Sequence, residues 1–308
     1  MPIAISREEY PPTKRDFTMR TISRRDFITT ASAFAASTAL IGNAGLIGNT
    51  AFGNSIENRK QRISLGIQLY SLREFSLEAA LDYAKQIGFT QVEFYSKMLP
   101  IDSTPEQIAD VRKKVTDRGL SISAHGVNRF TKDAAANRKL FEFAKAVGIP
   151  TITADPDPDS FANLNDLVKE FDIRVAIHNH GPKHRYNKAL DVLYAVEKYD
   201  SRIGACADLG HYIRSGEKPT EVIRLLKGRL YGIHLKDFAE MQDKTKGVVL
   251  GKGHLDCQGV VDALLAVDFP ANGAFSLEYE ENPKDPIAEI KECFAVANAA
   301  LAKANSKA

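Results

Sequence analysis

Cysteine is scarce in this chain: there are 3 among 308 residues, Cys206, Cys257 and Cys293, and no C-x-x-C pair. Their number and scatter exclude a disulfide framework. Charge of one sign is also lacking. The formal net charge is +2, and no basic stripe with interleaved aromatics occurs, which argues against a nucleic-acid partner. A long apolar run is missing too. The weakly apolar segment 31–47 is too short, and too rich in Gly, Ser and Thr, for a membrane helix. From residue 63 onward there is no linker, low-complexity stretch or second domain. What remains, 44% hydrophobic and 26% charged residues, is ordinary for a globular protein and long enough for one large barrel or two smaller domains.

The N-terminal part differs in kind. Ser23-Arg24-Arg25-Asp26-Phe27-Ile28 followed by the run 31–47 resembles the twin-arginine signal of bacterial proteins that fold before export. The resemblance implies the twin-arginine translocation machinery as a partner and a periplasmic or otherwise exported location. It divides the chain into a signal region 1–53, with Ala51-x-Gly53 as a small-residue cleavage site, a linker 54–62 and a barrel 63–308. Met19 is an alternative start, and an uncleaved amphipathic anchor is the alternative reading of the segment.

Strand-like and helix-like patterns then alternate. The strand candidates are 63–70, 91–96, 121–127, 151–156, 174–180, 203–209, 230–237 and 274–280. Most are apolar on both faces before their last few residues, as parallel strands covered on both sides are. Between them, Ser76 opens an apolar stripe at Leu77, Ala80, Leu81 and Ala84 that Gly88 stops. Thr104-Pro105 opens a helix that Gly119 ends. Further helices are expected at about 133–147, 160–171, 187–199, 219–227, 259–267 and 285–303. An eightfold alternation with about 30 residues per unit predicts an α/β fold, a single TIM (β/α)8 barrel. A doubly wound open sheet would normally carry a Gly-rich turn after its first strand, and "GIQLYSLREFS" has none. The connection 238–258 exceeds the usual βα loop and is a candidate lid or substrate-binding loop.

TIM-barrel enzymes place their chemistry at the C-terminal strand ends. Here those ends carry Glu93 and Tyr95, His125, Asp155, His178 and His180, Asp208 with His211, His234 and Lys236, then Glu278 and Glu280. One strand ending in histidine is compatible with a core imidazole. Four consecutive strands contributing carboxylates and imidazoles to one mouth make a site. Its desolvation needs a cation or shifted protonation states. Two imidazoles and two carboxylates, His178, Asp208, His234 and Glu278, would neutralise one divalent ion and leave positions open for water or substrate oxygens. Mn2+ is the first expectation, with Co2+, Fe2+ and Zn2+ as alternatives; an ion-paired mouth without metal is the competing reading.

The strings "ADLGHYIRSGEKP", "GIHLKDF", "GKGHLDCQGVVDALLAVDF" and "FSLEYE", in that order over about residues 63–304, resemble the xylose isomerase-like barrel superfamily of sugar isomerases and epimerases, which includes inosose dehydratase. The resemblance implies one divalent metal held by a Glu, an Asp, a His and a final Glu from strands five to eight. The last three fall on Asp208, His234 and Glu278. His178 stands where the epimerases have their first glutamate, and its "IHNHG" setting resembles the dehydratase-like branch. The implied chemistry is removal of a proton next to the carbonyl of a keto-sugar or keto-glycoside, giving an isomer, an epimer or an eliminated product.

Among the remaining residues, His211, three positions after Asp208, is the preferred acid/base partner of Glu278, with His180 as a further candidate. Lys236 either pins a substrate oxygen or pairs with Asp237 or Glu278. Gln68, Tyr70, Glu93, His125, His254 and Glu280 are candidate substrate contacts. Gly251-x-Gly253 is either an anion-binding turn or an ordinary one. Two other function classes stay open: a non-catalytic carbohydrate-binding barrel, and a metal-dependent phosphodiesterase or endonuclease on the same fold.

Overall fold

The structure, a computed structural model, describes residues 63–307. The expected signal region and linker lie outside the described residues. The elements run β1 (Gly66–Gln68), α1 (Leu77–Ile87), β2 (Gln91–Phe94), α2 (Pro105–Asp117), β3 (Ser121–Phe130), α3 (Ala134–Val147) and β4 (Thr151–Pro156). They continue α4 (Phe161–Phe171), β5 (Arg174–His178), α5 (Ala189–Val196), β6 (Ile203–Asp208), α6 (Leu209–Arg214), α7 (Pro219–Leu225) and β7 (Leu230–Leu235). The chain ends with β8 (Asp237–Phe238), β9 (Gly247–Val248), α8 (Cys257–Ala266), β10 (Ala274–Leu277) and α9 (Ile287–Lys307). Eight parallel strands close into a barrel in the order β1-β2-β3-β4-β5-β6-β7-β10, and β8 pairs with β9 in a separate antiparallel hairpin. This is the TIM barrel the alternation predicts.

Local chemistry explains the helix starts. Ser76 accepts from Ala79 N, and Gly88 closes α1 with φ 113°, a conformation open to glycine. Thr104 and Gln107 form a reciprocal capping box behind Pro105. Asp133 caps α3 through the amides of Ala135 and Ala136. Buried stripes such as Ala80, Leu81 and Ala84 then seat each helix on the barrel wall.

Two features differ from the expectation. The polar residues expected at strand ends lie partly beyond them: β5 stops at His178, β7 at Leu235 and β10 at Leu277, leaving His180, Lys236, Glu278 and Glu280 on the loops that follow. A short extra helix, α6, follows β6 directly. Register places the site residues side by side: His178 pairs with Cys206, Asp208 with His234, and His234 with Ser276.

Candidate active site

The C-terminal mouth gathers His178, Asp208, His234 and Glu278, all buried, with one donor atom from each lying within 4.8 Å of the others. That spacing suits one ion about 2.0–2.2 Å from each nitrogen or oxygen. His178 Nε2 is 3.2 Å from His234 Nδ1 and 3.5 Å from Asp208 Oδ2. His234 Nδ1 is 3.1 Å from Glu278 Oε2. Two buried atoms here have no hydrogen bond, His178 Nδ1 and Asp208 Oδ2, although the Lys236 ammonium lies 3.0 Å from the latter. Unsatisfied buried atoms beside a converging N/O donor set fit a cation.

Asp208 is shared between fold and site. Its Oδ1 accepts from His211 N at 2.8 Å and so caps α6, while Oδ2 turns into the cluster. The cap is what brings His211 to the mouth, with its Nε2 3.8 Å from Asp208 Oδ2. Gly210, between them, makes room for the Lys236 stem: a Cβ there would sit 2.7 Å from Lys236 Cγ. Asn179, on the opposite parity from His178, holds the Asp208 backbone from both sides, donating to its carbonyl at 3.0 Å and accepting from its amide at 2.8 Å.

Electrostatics separate the titratable groups. Burial lowers the buried Lys236, but Asp208, Glu278 and Glu280 outweigh it and hold the ammonium well above the usual lysine range. Burial raises Asp208 and Glu278. The facing Lys236 ammonium, 3.0 Å from Asp208 Oδ2, helps keep Asp208 well below the usual carboxylate range, and Lys236 and His234 do the same for Glu278. His180 is pushed down to about 4, first by burial and then by His178 and His184. Burial pushes His211 down to about 3. Both imidazoles are therefore neutral at neutral pH, as proton acceptors must be.

Two cavities flank Lys236, Glu278, Glu280 and His211. One of about 390 Å3 is also lined by Gln68, Tyr70, Tyr95, Val127, His178 and His180. The other, about 130 Å3, is walled by the β8–β9 hairpin, through Phe238, Gly247 and Val248, and by Arg214. The structure thus brings Gln68, Tyr70, Glu280, His180, His211 and Lys236 to the mouth.

Three expected substrate contacts are placed elsewhere. Glu93 is fully buried beneath His234, 3.1 Å from its Nε2, and accepts from Thr153 Oγ1 at 2.6 Å and Ser276 Oγ at 2.8 Å. Burial alone raises this carboxyl; His234 and the two hydroxyls outweigh it and lower it. Glu93 orients a cluster histidine from below. His125 is 1% exposed, with Nε2 2.8 Å from Leu99 O and its ring edge-on to Phe143. It braces neighbouring loops and lines neither cavity. His254 is exposed and also lines neither cavity; its amide is what the fold uses.

The Gly251-x-Gly253 amides do meet an anion, but it belongs to the protein. The buried Asp237 carboxylate accepts from the amides of Phe238, Gly251, Gly253, His254 and Leu255 at 2.8–3.0 Å. Asp237 is accordingly no partner of Lys236. The 238–258 connection, expected as a lid or substrate-binding loop, is a hairpin that walls the smaller cavity and a loop wound around one carboxylate. Thr153, Ser276 and Arg214 carry no sequence signal because each is a common residue type with no spacing of its own, and strand parity gives Asn179 a face but no partner.

Comparison with known proteins matches residues 81–296 to the model of the xylose isomerase-like TIM barrel family. The chain belongs to that family. It is 27% identical over 171 residues to 3-oxo-isoapionate decarboxylase of Pectobacterium atrosepticum, a match that covers 50% of this chain and 60% of that enzyme. A crystal structure of an uncharacterised protein from Parabacteroides distasonis superposes with a TM-score of 0.60 at 29% identity, covering 77% of this chain and 98% of the other. The 3-keto-D-glucoside 4-epimerase of E. coli superposes with a TM-score of 0.62 at 17% identity, covering 77% and 100%.

Proposed function

We propose that the protein is an exported, divalent-metal-dependent enzyme that removes a proton next to the carbonyl of a keto-sugar or keto-glycoside and releases an isomer, an epimer or an elimination product. The observation that carries this is the buried His178, Asp208, His234 and Glu278 cluster at the floor of a cavity that His211 also lines, with His211 Nε2 3.8 Å from Asp208 Oδ2. Those four residues would hold the ion, with Mn2+ the first choice. When bound, it supplies Lewis acidity toward a carbonyl oxygen and an adjacent hydroxyl.

The chain's own groups do the rest. His211 accepts the proton from the α-carbon. Lys236 and His234 keep Glu278 ionised, so Glu278 is a second proton acceptor at the mouth, and an epimerisation would draw the proton for the opposite face from the adjacent Lys236 ammonium or from solvent. Gln68, Tyr70 and Glu280 line the space beside them for hydroxyls and, in a glycoside, for the aglycone. Two relatives support the substrate class: both are named for a substrate with a ketone at carbon 3. Export fits an unphosphorylated sugar, since sugar kinases are mainly cytoplasmic.

The test is solvent deuterium incorporation into a panel of keto-sugars and 3-keto-glycosides by Mn2+-loaded protein. Exchange at the α-carbon is expected, reduced about 10²–10⁴-fold in His211→Ala. A fully loaded protein that exchanges nothing across the panel would leave the carbohydrate-binding barrel as the better reading. Glu93→Gln should weaken ion binding about 10–100-fold while keeping all four ligands, because it no longer fixes the His234 ring with a carboxylate. Titration with a chromophoric chelator reads this directly; unchanged affinity would mean that Glu93 only fills space.

A further inference from the structure

We infer that His184 and His180 form a transfer path by which a divalent cation reaches the buried cluster from solvent, an inference that rests on the metal-binding reading above. The path is a run of imidazoles. His184 is exposed on the loop after β5. Its ring stacks on that of His180 with centroids 4.8 Å apart, and His180 in turn stands edge-on to His178, again at 4.8 Å. Exposure falls along the run: His184 is exposed, His180 is half-buried and His178 is 4% exposed.

The atoms on this route are uncommitted. His178 Nδ1 is buried without a hydrogen-bond partner. Among the described residues, the rings of His180 and His184 make no hydrogen bond; His180 is tied down only by its backbone amide, to Tyr186 O at 3.1 Å. Neither ring belongs to the set whose donor atoms converge on a single point. They are therefore not final ligands, and the packing of the core does not require them.

The chemistry favours handover. A hydrated divalent ion would shed its water shell in steps on the way to a buried donor set, and imidazole suits the first-row divalent ions. Donors one ring apart let one water leave as each nitrogen arrives, and the Asp208 and Glu278 carboxylates at the end of the run supply the pull. Without the two histidines the ion would still reach the same final site, through the cavity that His178 and Glu278 line, but more slowly.

The experiment is stopped-flow loading of chelator-stripped full-length protein with Co2+ alone, followed by its visible absorption, for wild type, His184→Ala and His180→Ala. Both variants should reach the wild-type Co2+ stoichiometry at equilibrium, which also shows that they are folded. Both should load more slowly, by about tenfold or more, a rise of about 1.4 kcal/mol in the loading barrier. The double variant should be no slower than the slower single one, since both act on one route. Wild-type loading rates in both single variants would overturn the path. Loss of stoichiometry in His180→Ala would overturn it too, by making His180 a ligand. Failure of the wild type itself to take up Co2+ would be a different result and would remove the metal-binding reading.

Discussion

Asp208→Asn protein is expected to fold normally and yet to lose both its divalent ion and its turnover. The two oxygens of Asp208 have separate duties. Oδ1 caps α6 at His211 N, and asparagine caps a helix about as well as aspartate. Oδ2 faces His178 at 3.5 Å and Lys236 at 3.0 Å inside the cluster, where an uncharged amide cannot replace a carboxylate. The Lys236 ammonium would also lose one of three carboxylate partners. Ion content should fall from near one per chain to near none. Deuterium exchange into substrate should drop on the order of 10²–10³-fold, the scale of losing a main electrostatic stabiliser. Metal analysis beside a thermal melt is the check. Full ion content in the variant would show that Asp208 serves the helix and not the ion.

Asp237→Ala should be the most destabilising substitution near the site. The carboxylate is 1% exposed and accepts from five amides. Alanine removes every acceptor at once. Each amide left dry costs about 1–3 kcal/mol, and water will reach some of them, so a net loss of about 3–5 kcal/mol is expected. Hydrogen exchange should localise the damage, with the amides of Gly251, Gly253, His254 and Leu255 losing protection before those of β7. Because the adjoining hairpin walls the smaller cavity, substrate affinity should fall along with stability. Denaturation within about 0.5 kcal/mol of wild type, the range of an ordinary surface change, would show that solvent replaces this carboxylate.

Much of the fold was legible because parallel strands covered on both faces are written in runs such as residues 203–207, and because caps such as Ser76, Thr104 and Asp133 are local signals. The four-residue cluster was legible for a related reason: a buried polar residue at the end of an apolar strand is out of place unless it meets others. The limits were equally physical. Glu93 and His125 sit below the mouth, inside strands that run on past them, to Phe94 in β2 and to Phe130 in β3. A strand pattern gives the face of a residue but not its depth in the barrel. Glu93 found its partners in Thr153 and Ser276, from strands far apart in sequence. Helix α6 is harder to read because its N-cap is itself a cluster residue, so that one aspartate carries two signals, a ligand and a cap.

The binding of the 251–255 segment to Asp237 has an evolutionary corollary. Every bond in that clasp comes from a peptide N–H, which all residues except proline possess. Gly251, with φ +80°, and Gly253, where a Cβ would sit 2.1 Å from Phe238 O, are fixed by the backbone, but side chains such as Val248 on the adjoining hairpin are largely relieved of holding the segment in place. Heritable variation at Val248 can reshape the wall facing Glu280 while the clasp, the barrel and the cluster stay as they are. Diversification of substrate range within such a lineage would accumulate in the hairpin first, and a library randomised at Phe238 and Val248 is where altered selectivity should be sought.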